Sequence, residues 1–285
     1  MLTRARTARF GSHYVDPQAE GADLVIAGQV AARGVVMVDG LTSRRAVLDF
    51  ARRIMTLVPH PDSDPDGLTT IQNIGRASRQ PGLAGLGSGE LHAHTERSSV
   101  PRPPRLMLLV CLRPAASGGE VLLTDGRAVL EDLAATAPRA IETMSLRGTA
   151  FYGDGGGHPS RIFTPHGSSR ISIRFRQDGL GQFSPLVSCF LPALGKAIAA
   201  NEHAFALESG QGYLIDNARL LHARAAFLGP RLCVRALGMP SFPLPDGFSL
   251  GSAASGCRAD ATSGPAGVCG KPGSGATSNE GRKVR

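Results

Sequence analysis

The sequence predicts a mostly β protein with flanking helices, arranged as a jelly-roll. Many short apolar runs are separated by turns containing glycine or proline, which is the pattern of sandwiches and barrels. The predicted helices gather near the N-terminus or fall between strands as insertions. The chain has 285 residues with 36 glycines, 20 prolines and no tryptophan, and this composition disfavours long helical bundles. Its length is enough for one sizeable core.

Periodicity predicts the elements in order along the chain. A helix over 22–32 precedes a buried strand over 34–40, and Thr42 or Ser43 caps a second helix that runs to Val58. The other predicted helices are 127–136, 138–145 and 188–201. The other predicted strands are 68–74, 90–95, 105–112, 120–125, 148–153, 161–164, 170–175, 203–208, 210–217, 220–227 and 231–237.

The C-terminal segment differs from the rest of the chain. Residues 249–285 are rich in glycine, serine and alanine, and their large apolar residues are Leu250, Val268 and Val284. Such a segment buries too little surface to offset its ordering entropy. We therefore predict one domain over 1–248 and a disordered tail over 249–285.

The charge pattern and the lack of long apolar runs argue against two classes of partner, nucleic acids and membranes. The net charge is +8, and 28 of the 31 basic residues are arginines, because only three are lysines. The arginines are spread along the chain and mixed with acids, which argues against nucleic-acid binding and fits anionic small molecules. No apolar run reaches the roughly 18 residues of a membrane span, and the basic start lacks the apolar stretch of a secretory signal. We expect a cytoplasmic protein.

A His-x-Glu triplet is the sharpest local feature. His94 and Glu96 lie two residues apart at the end of the strand predicted over 90–95, so if the strand continues through Glu96 their side chains share a face. Farther along, His222 lies in an apolar strand, where a lone histidine is usually a hydrogen-bonded core residue. Together, two imidazoles and one carboxylate form the facial triad of non-haem Fe(II) oxygenases, which leaves three coordination positions open. A cupin-type metal site that uses His92 with His94 is an alternative.

Two longer stretches carry further motifs. In residues 92–129 the His-x-Glu triplet is followed by a Pro/Arg segment, an apolar strand ending in C-x-R, and a Gly-Gly-Glu turn. Residues 216–235 contain D-N-x-R-x-x-H-x-R and end in an arginine. In their order and separation the two stretches resemble the TauD/clavaminate-synthase group of Fe(II)/2-oxoglutarate dioxygenases. The resemblance covers roughly residues 20–240 and implies a double-stranded β-helix (jelly-roll) core.

The resemblance also implies roles for particular residues. His94, Glu96 and His222 would be both the iron ligands and the catalytic centre. Arg231 would bind the distal carboxylate of 2-oxoglutarate through a charge-assisted, two-pronged contact, and Arg235 is the alternative. Many relatives have threonine after the Gly-Gly-Glu turn to help bind the cosubstrate. This chain has valine at that position, and Thr124 is the nearest hydroxyl.

The expected reaction uses O2 and 2-oxoglutarate to hydroxylate an unactivated C–H, and it releases succinate and CO2. The His-x-Glu form resembles relatives that act on amino acids and on peptide or antibiotic intermediates, so we expect an amino acid with a basic side chain, free or tethered to a carrier, or an amino-acid-derived intermediate. The basic side chain would require spare acids in the pocket, and Glu120, Asp154 or Asp216 could supply them. Sulfonates or other small acids, and a cupin-like enzyme without 2-oxoglutarate, are the alternatives. The candidate substrate-binding residues are Gln72, Arg170, Arg174 and Asp216, the last of which is also a candidate for a structural ion pair.

Overall fold

The structure is a computed structural model that describes residues 13–75, 82–153, 157–167 and 169–249. Beyond Ser249, the tail predicted for 249–285 lies outside these residues, so the tail and the domain boundary stay predictions. None of the helices within the described ranges is long and apolar enough to cross a membrane.

The elements follow one another with short connections. The strands are β1 (Tyr14–Val15), β2 (Val35–Val38), β3 (Met55–Leu57), β4 (Thr69–Ile71), β5 (Leu91–His94), β6 (Leu106–Arg113), β7 (Ser117–Gly118), β8 (Val121–Asp125), β9 (Ala150–Tyr152), β10 (His158–Ser160), β11 (Phe163–His166), β12 (Arg170–Ile173), β13 (Gly181–Phe183), β14 (Glu202–Phe205), β15 (Gly212–Asp216), β16 (Leu220–Arg224), β17 (Phe227–Leu228), β18 (Leu232–Pro240) and β19 (Phe248–Ser249). The helices are α1 (Ala22–Arg33), α2 (Arg44–Ile54), α3 (Gly126–Thr136), α4 (Pro138–Met144), α5 (Pro185–Ser188) and α6 (Leu191–Ala200).

Two sheets enclose the central core. The larger has seven strands in the order β1-β2-β15-β6-β18-β3, with β4 beside β18. The smaller has four strands in the order β14-β8-β16-β5. All neighbours in both sheets are antiparallel except β1 and β2. Apolar side chains from both sheets form one buried cluster between them, including Met107 and Leu109 of β6 and Leu123 of β8.

Strand β6 is continuously apolar because both of its faces are buried. Leu106, Leu108 and Val110 pack on one side with residues of α1 and α2, whereas Met107 and Leu109 face the smaller sheet. Helices therefore cover the outer face of the larger sheet, and its inner face is left to form the central core.

The smaller sheet is also covered on its outside. Leu221 of β16 packs in a cluster with Leu130 and Leu133 of α3 and Leu194 of α6. Because side chains alternate along a strand, the residue after Leu221 lies on the inner face of the sheet. That residue is His222.

Two predicted helices differ from the structure at their ends. Ser43 caps α2 by accepting a hydrogen bond from the backbone N–H of Ala46, as predicted, but the helix ends at Ile54. The backbone is extended at Met55 (φ −148°), and Met55 pairs with Pro240 of β18. The helix predicted over 188–201 corresponds to α6, which begins only at Leu191, and a separate short helix, α5, ends at Ser188. Each of the two has proline in its first turn.

The predicted fold class is confirmed. The described chain is mostly strands with flanking helices, and two facing antiparallel sheets form a jelly-roll core, although they do not close into a continuous barrel. In this double-stranded β-helix, strands β5 and β16 of the smaller sheet border the space between the two sheets.

Candidate metal centre and cavity

Two histidines meet across neighbouring strands. His94 is the last residue of β5, and His222 lies directly opposite it in the middle of β16. Their ring centroids are 4.1 Å apart with a tilt of 47°. The inner face of the smaller sheet therefore presents two imidazoles side by side, although they come from distant parts of the chain.

Glu96 reaches the same place by a different route from the predicted one. The strand ends at His94, so the expectation that Glu96 lies on the same strand face is wrong. Instead the chain turns, and Arg97 adopts a positive φ of 56°. Asn217 holds the turn, because the Glu96 N–H donates to its Oδ1 (2.7 Å) and its Nδ2 donates to the Glu96 carbonyl (3.0 Å).

The three side chains form one compact cluster. A ligand atom from each of His94, Glu96 and His222 lies within 4.8 Å of the others. Arg235 Nη1 donates to Glu96 Oε2 at 2.7 Å, and His222 Nε2 lies 3.8 Å from that oxygen. Burial opposes ionisation of Glu96, but the adjacent Arg235 guanidinium holds the pKa of its carboxyl well below the usual range. The carboxylate is therefore ionised at neutral pH.

Both imidazoles are available as neutral ligands. His94 Nδ1 lies 2.8 Å from the carbonyl oxygen of His92, which can only accept, so the proton is on Nδ1 and the Nε2 lone pair is free. His222 Nδ1 is buried and has no hydrogen-bond partner among the described residues. Burial lowers the pKa of both histidines, so both are neutral at neutral pH. Two neutral imidazoles and one carboxylate fit Fe(II).

The cluster faces a cavity of about 580 Å³ between the two sheets. One side of it, here called the strand wall, consists of residues carried by β5, β6, β8, β15, β16 and β18: His94, Met107, Leu109, Val121, Tyr213, His222 and Arg235. Connections between the strands supply most of the rest of the lining, including apolar residues such as Leu83 and Leu180. The charged and ionisable residues of these connections are here called the loop wall: His60, Asp62, Arg97, Arg176 and Asp178.

Arg231 lines the cavity just before β18 and is only 6% exposed. It makes no ion pair or hydrogen bond with any residue that the structure describes. Its guanidinium lies over the ring of Phe227, 5.6 Å from the centroid, and Arg224 lies 4.8 Å from the same centroid. Arg224 is occupied, since it donates to the carbonyls of Gly87 and Gly89 at 2.7 and 2.5 Å. Arg231 is therefore a buried cation without an anion.

Two predicted binding residues lie outside the cavity. Thr124 is buried on the face of β8 opposite to Val121 and Leu123, so the prediction that it binds cosubstrate is wrong. The apolar Val121 lines the cavity instead. Gln72 follows β4 and is exposed, whereas Ile71 lines the cavity, so the prediction for Gln72 is also wrong.

The predicted substrate-binding arginines Arg170 and Arg174 are structural. Arg170 donates to the carbonyls of Asp246 (2.7 Å) and Gly247 (2.5 Å), which anchors the end of the described chain. Arg174 donates to the carbonyls of Val100 and Pro101 at 3.2 and 3.1 Å. Neither arginine is among the residues that line the cavity, so both predictions are wrong.

Asp216 takes the structural role considered for it. Both of its carboxylate oxygens accept from Arg105, at 2.5 and 2.9 Å, and its side chain is 3% exposed. Arg219 of the same motif pairs with Asp125. Asp216 does not line the cavity, so it is not a substrate contact.

Sequence reasoning missed the loop wall. His60, Arg97, Arg176 and Asp178 line the cavity but lie in connections without a recognisable motif. Arg176 and Asp178 pair with each other, with Nε and Oδ1 2.7 Å apart. Burial and then Arg235 lower the pKa of His60, while Glu96 raises it and Arg97 lowers it.

The cupin alternative depends on His92, and the structure does not support it. The His92 side chain is 68% exposed and lies 3.6 Å from Glu90. It is not a member of the cluster formed by His94, Glu96 and His222.

Comparison with known proteins gives the same fold. An OrfP structure in complex with Fe and alpha-ketoglutaric acid is 16% identical, matches 79% of this chain and 80% of its own, and has a TM-score of 0.61. An asparagine oxygenase in complex with Fe(II), 3-hydroxyasparagine and succinate is 16% identical in sequence, and the match covers 76% of this chain and 78% of the oxygenase, with a TM-score of 0.62. PvcB from Pseudomonas aeruginosa is 14% identical in sequence, and the match covers 76% of this chain and 80% of PvcB, with a TM-score of 0.60.

A family model extends the match to the sequence itself. The model described as "Taurine catabolism dioxygenase TauD, TfdA family" matches residues 3–237. This range includes the three residues of the cluster and the three cavity arginines of the second motif, Arg224, Arg231 and Arg235. The chain therefore belongs to the TauD/TfdA family of dioxygenases, which confirms the predicted relationship to Fe(II)/2-oxoglutarate enzymes.

Proposed function

We propose that this protein hydroxylates an unactivated C–H of an amino acid, or of an amino-acid-derived natural-product intermediate, with release of succinate and CO2. The observation that carries the proposal is the convergence of His94, Glu96 and His222 on a cavity that also contains the unpaired Arg231. The first three groups suit a ferrous ion, and the arginine suits the anionic cosubstrate.

The iron would be held by one nitrogen from each histidine and by the Glu96 carboxylate. Fe(II) bound there supplies the activation of O2 coupled to oxidative decarboxylation of 2-oxoglutarate. The His92 carbonyl orients the ring of His94, and Asn217 fixes the backbone of Glu96. Arg235 contacts one carboxylate oxygen and keeps Glu96 anionic.

Arg231 is the proposed partner of the distal carboxylate of 2-oxoglutarate. It is buried and cationic, and the described residues offer it no counter-ion. Arg235 suits this role less well, because its Nη1 already donates to Glu96. Val121 contributes only apolar contact, so the strength of cosubstrate binding depends mainly on the Arg231 guanidinium.

The solved relatives support an amino-acid substrate. OrfP has been solved with a hydroxylated arginine, and asparagine oxygenase with 3-hydroxyasparagine and succinate. The alternative is a sulfonate or another small acid, which the family's description as a taurine dioxygenase favours. Tethering to a carrier, a place in antibiotic biosynthesis and a cytoplasmic location stay predictions.

The proposal is tested by cosubstrate turnover. The protein is loaded anaerobically with Fe(II) and 2-oxoglutarate, and panels of amino acids and sulfonates are added with O2. We expect at least one amino acid to stimulate succinate formation and to be converted to a product heavier by one oxygen atom. Stimulation by sulfonates alone would assign the alternative. The absence of 2-oxoglutarate decarboxylation under every condition would contradict both.

A further inference from the structure

The cavity has more positive than negative charge. Its described lining contains three carboxylates, from Asp62, Glu96 and Asp178, and five arginines, which leaves two net positive charges. A ferrous ion adds two charges and the 2-oxoglutarate dianion cancels two, so the excess remains in the loaded site. A substrate with a basic side chain would increase this excess, whereas an acidic substrate would reduce it.

Three of the five arginines already have protein partners. Arg235 donates to Glu96, Arg176 pairs with Asp178, and Arg224 donates to backbone carbonyls. The two arginines left over are Arg231, which the proposed function assigns to the cosubstrate, and Arg97. No hydrogen bond or ion pair of the Arg97 side chain is formed within the part of the chain that the structure describes.

Arg97 also has an unusual backbone. Among the described residues it is the one non-glycine residue with a positive φ, at 56°. Residues other than glycine adopt this conformation at a cost, and such strain is concentrated at functional sites. The strained turn follows directly after Glu96 and directs the partly buried Arg97 side chain to the cavity. Strain and an unpaired charge thus coincide at one position beside the metal centre.

We infer that Arg97 is the docking site for a carboxylate that the substrate carries in addition to its α-carboxylate, so that the preferred substrates are acidic rather than basic amino acids. This inference rests on the proposed function. A guanidinium binds a carboxylate through two parallel hydrogen bonds, and the partly desolvated wall strengthens the contact. Of the spare acids that a basic substrate would need, Asp216 is paired with Arg105, Glu120 does not line the cavity, and Asp154 lies outside the described residues. Among the carboxylates of the described lining, Glu96 and Asp178 are paired with arginines, and Asp62 lies 3.3 Å from His60.

Matched acid and amide pairs test the inference without turnover. Calorimetry measures the binding of L-aspartate, L-asparagine, L-glutamate and L-glutamine to protein loaded with Mn(II) and 2-oxoglutarate. We expect each acid to bind about tenfold or more tightly than its amide. Arg97→Gln should abolish this preference, while Arg102→Gln, at an exposed position outside the cavity, should keep it.

A second variant separates binding from folding. Glycine adopts a positive φ without strain, so Arg97→Gly should have a Tm at least equal to that of the wild type and still lose the preference for acids. A lower Tm with the preference intact would assign Arg97 a structural role and overturn the inference.

Three other results would also overturn it: equal affinities for acid and amide, an acid preference that survives Arg97→Gln, or no binding of any of the four compounds. Equal weakening of all four by Arg97→Gln would place the α-carboxylate there and reject the acidic substrate class. If the acids bind as expected but succinate never forms, the proposed function fails while the docking of acids on Arg97 stands.

Discussion

The strand wall and the loop wall of the cavity are built in different ways. The strand wall is held by backbone pairing, as in the direct opposition of His94 and His222 on β5 and β16. The loop wall depends on side-chain contacts within connections, such as the ion pair between Arg176 and Asp178. The difference suggests a division of labour, in which strands fix both histidines of the metal centre, whereas the arginine proposed to select the substrate lies in a connection.

The largest expected effect comes from the strand wall. His222→Ala removes one of three metal-binding side chains and should lower substrate-dependent succinate formation by about a thousandfold or more. His222 Nδ1 has no partner among the described residues, so the substitution breaks no such bond there, and we expect the Tm to change little. The matched control is His92→Ala, at an exposed side chain. A fully active His222→Ala protein would refute the assignment of this ligand.

A structural variant tests whether Asp216 lies outside the chemistry. Asp216→Ala leaves the mostly buried Arg105 without its main partner and should lower the free energy of unfolding by about 3 kcal/mol. Asp49→Ala, in an exposed pair with Arg45, should cost less than about 1 kcal/mol. Denaturant titration measures both. If folded Asp216→Ala protein has a raised KM for the substrate, Asp216 contributes to substrate binding and the structural assignment is wrong.

The next expected effect concerns Arg231, the proposed partner of the cosubstrate. Arg231→Met should raise the KM for 2-oxoglutarate by about ten- to a hundredfold, because a charged hydrogen-bonding partner is lost. Metal binding should be unaffected, since Arg231 does not contact the cluster. Arg113→Met, at the exposed end of β6, is the control. An unchanged KM in the Arg231 variant would transfer the role to Arg235.

The smallest effect is expected at Gln72. This residue is exposed beside the cavity without lining it, so Gln72→Ala should change the KM for the substrate by less than about twofold. Steady-state kinetics with the best substrate of the panel measures the change. A larger effect would extend the loop wall to the end of β4.

The sequence predicted the strand wall well because its signals are local. Apolar runs marked β6, β8, β15, β16 and β18, and the two motifs placed His94, Glu96 and His222 on or beside strands. The prediction of a same-face pair failed because the strand ends at His94, and Asn217, more than a hundred residues later, holds Glu96 in place. A contact between such distant residues has no signature in a local pattern.

The loop wall and the substrate residues could not be predicted in the same way. Arg170 and Arg174 lie four residues apart in one predicted strand and were expected to bind substrate, but their partners are carbonyls of separate loops. Arg97 had no motif, and its positive φ depends on the turn that follows the strand. Which arginine is paired and which is free is decided by tertiary contacts, and single-sequence patterns do not contain them.

The central claim is that three side chains hold one ferrous ion. Anaerobic titration with Fe(II), followed by the visible charge-transfer band that forms with 2-oxoglutarate, measures this most directly. We predict about one ion per wild-type chain, the same value for His92→Ala, and no band for His94→Ala, Glu96→Ala or His222→Ala. Wild-type binding and an unchanged band in any one of these last three variants, with the fold intact, would contradict the account.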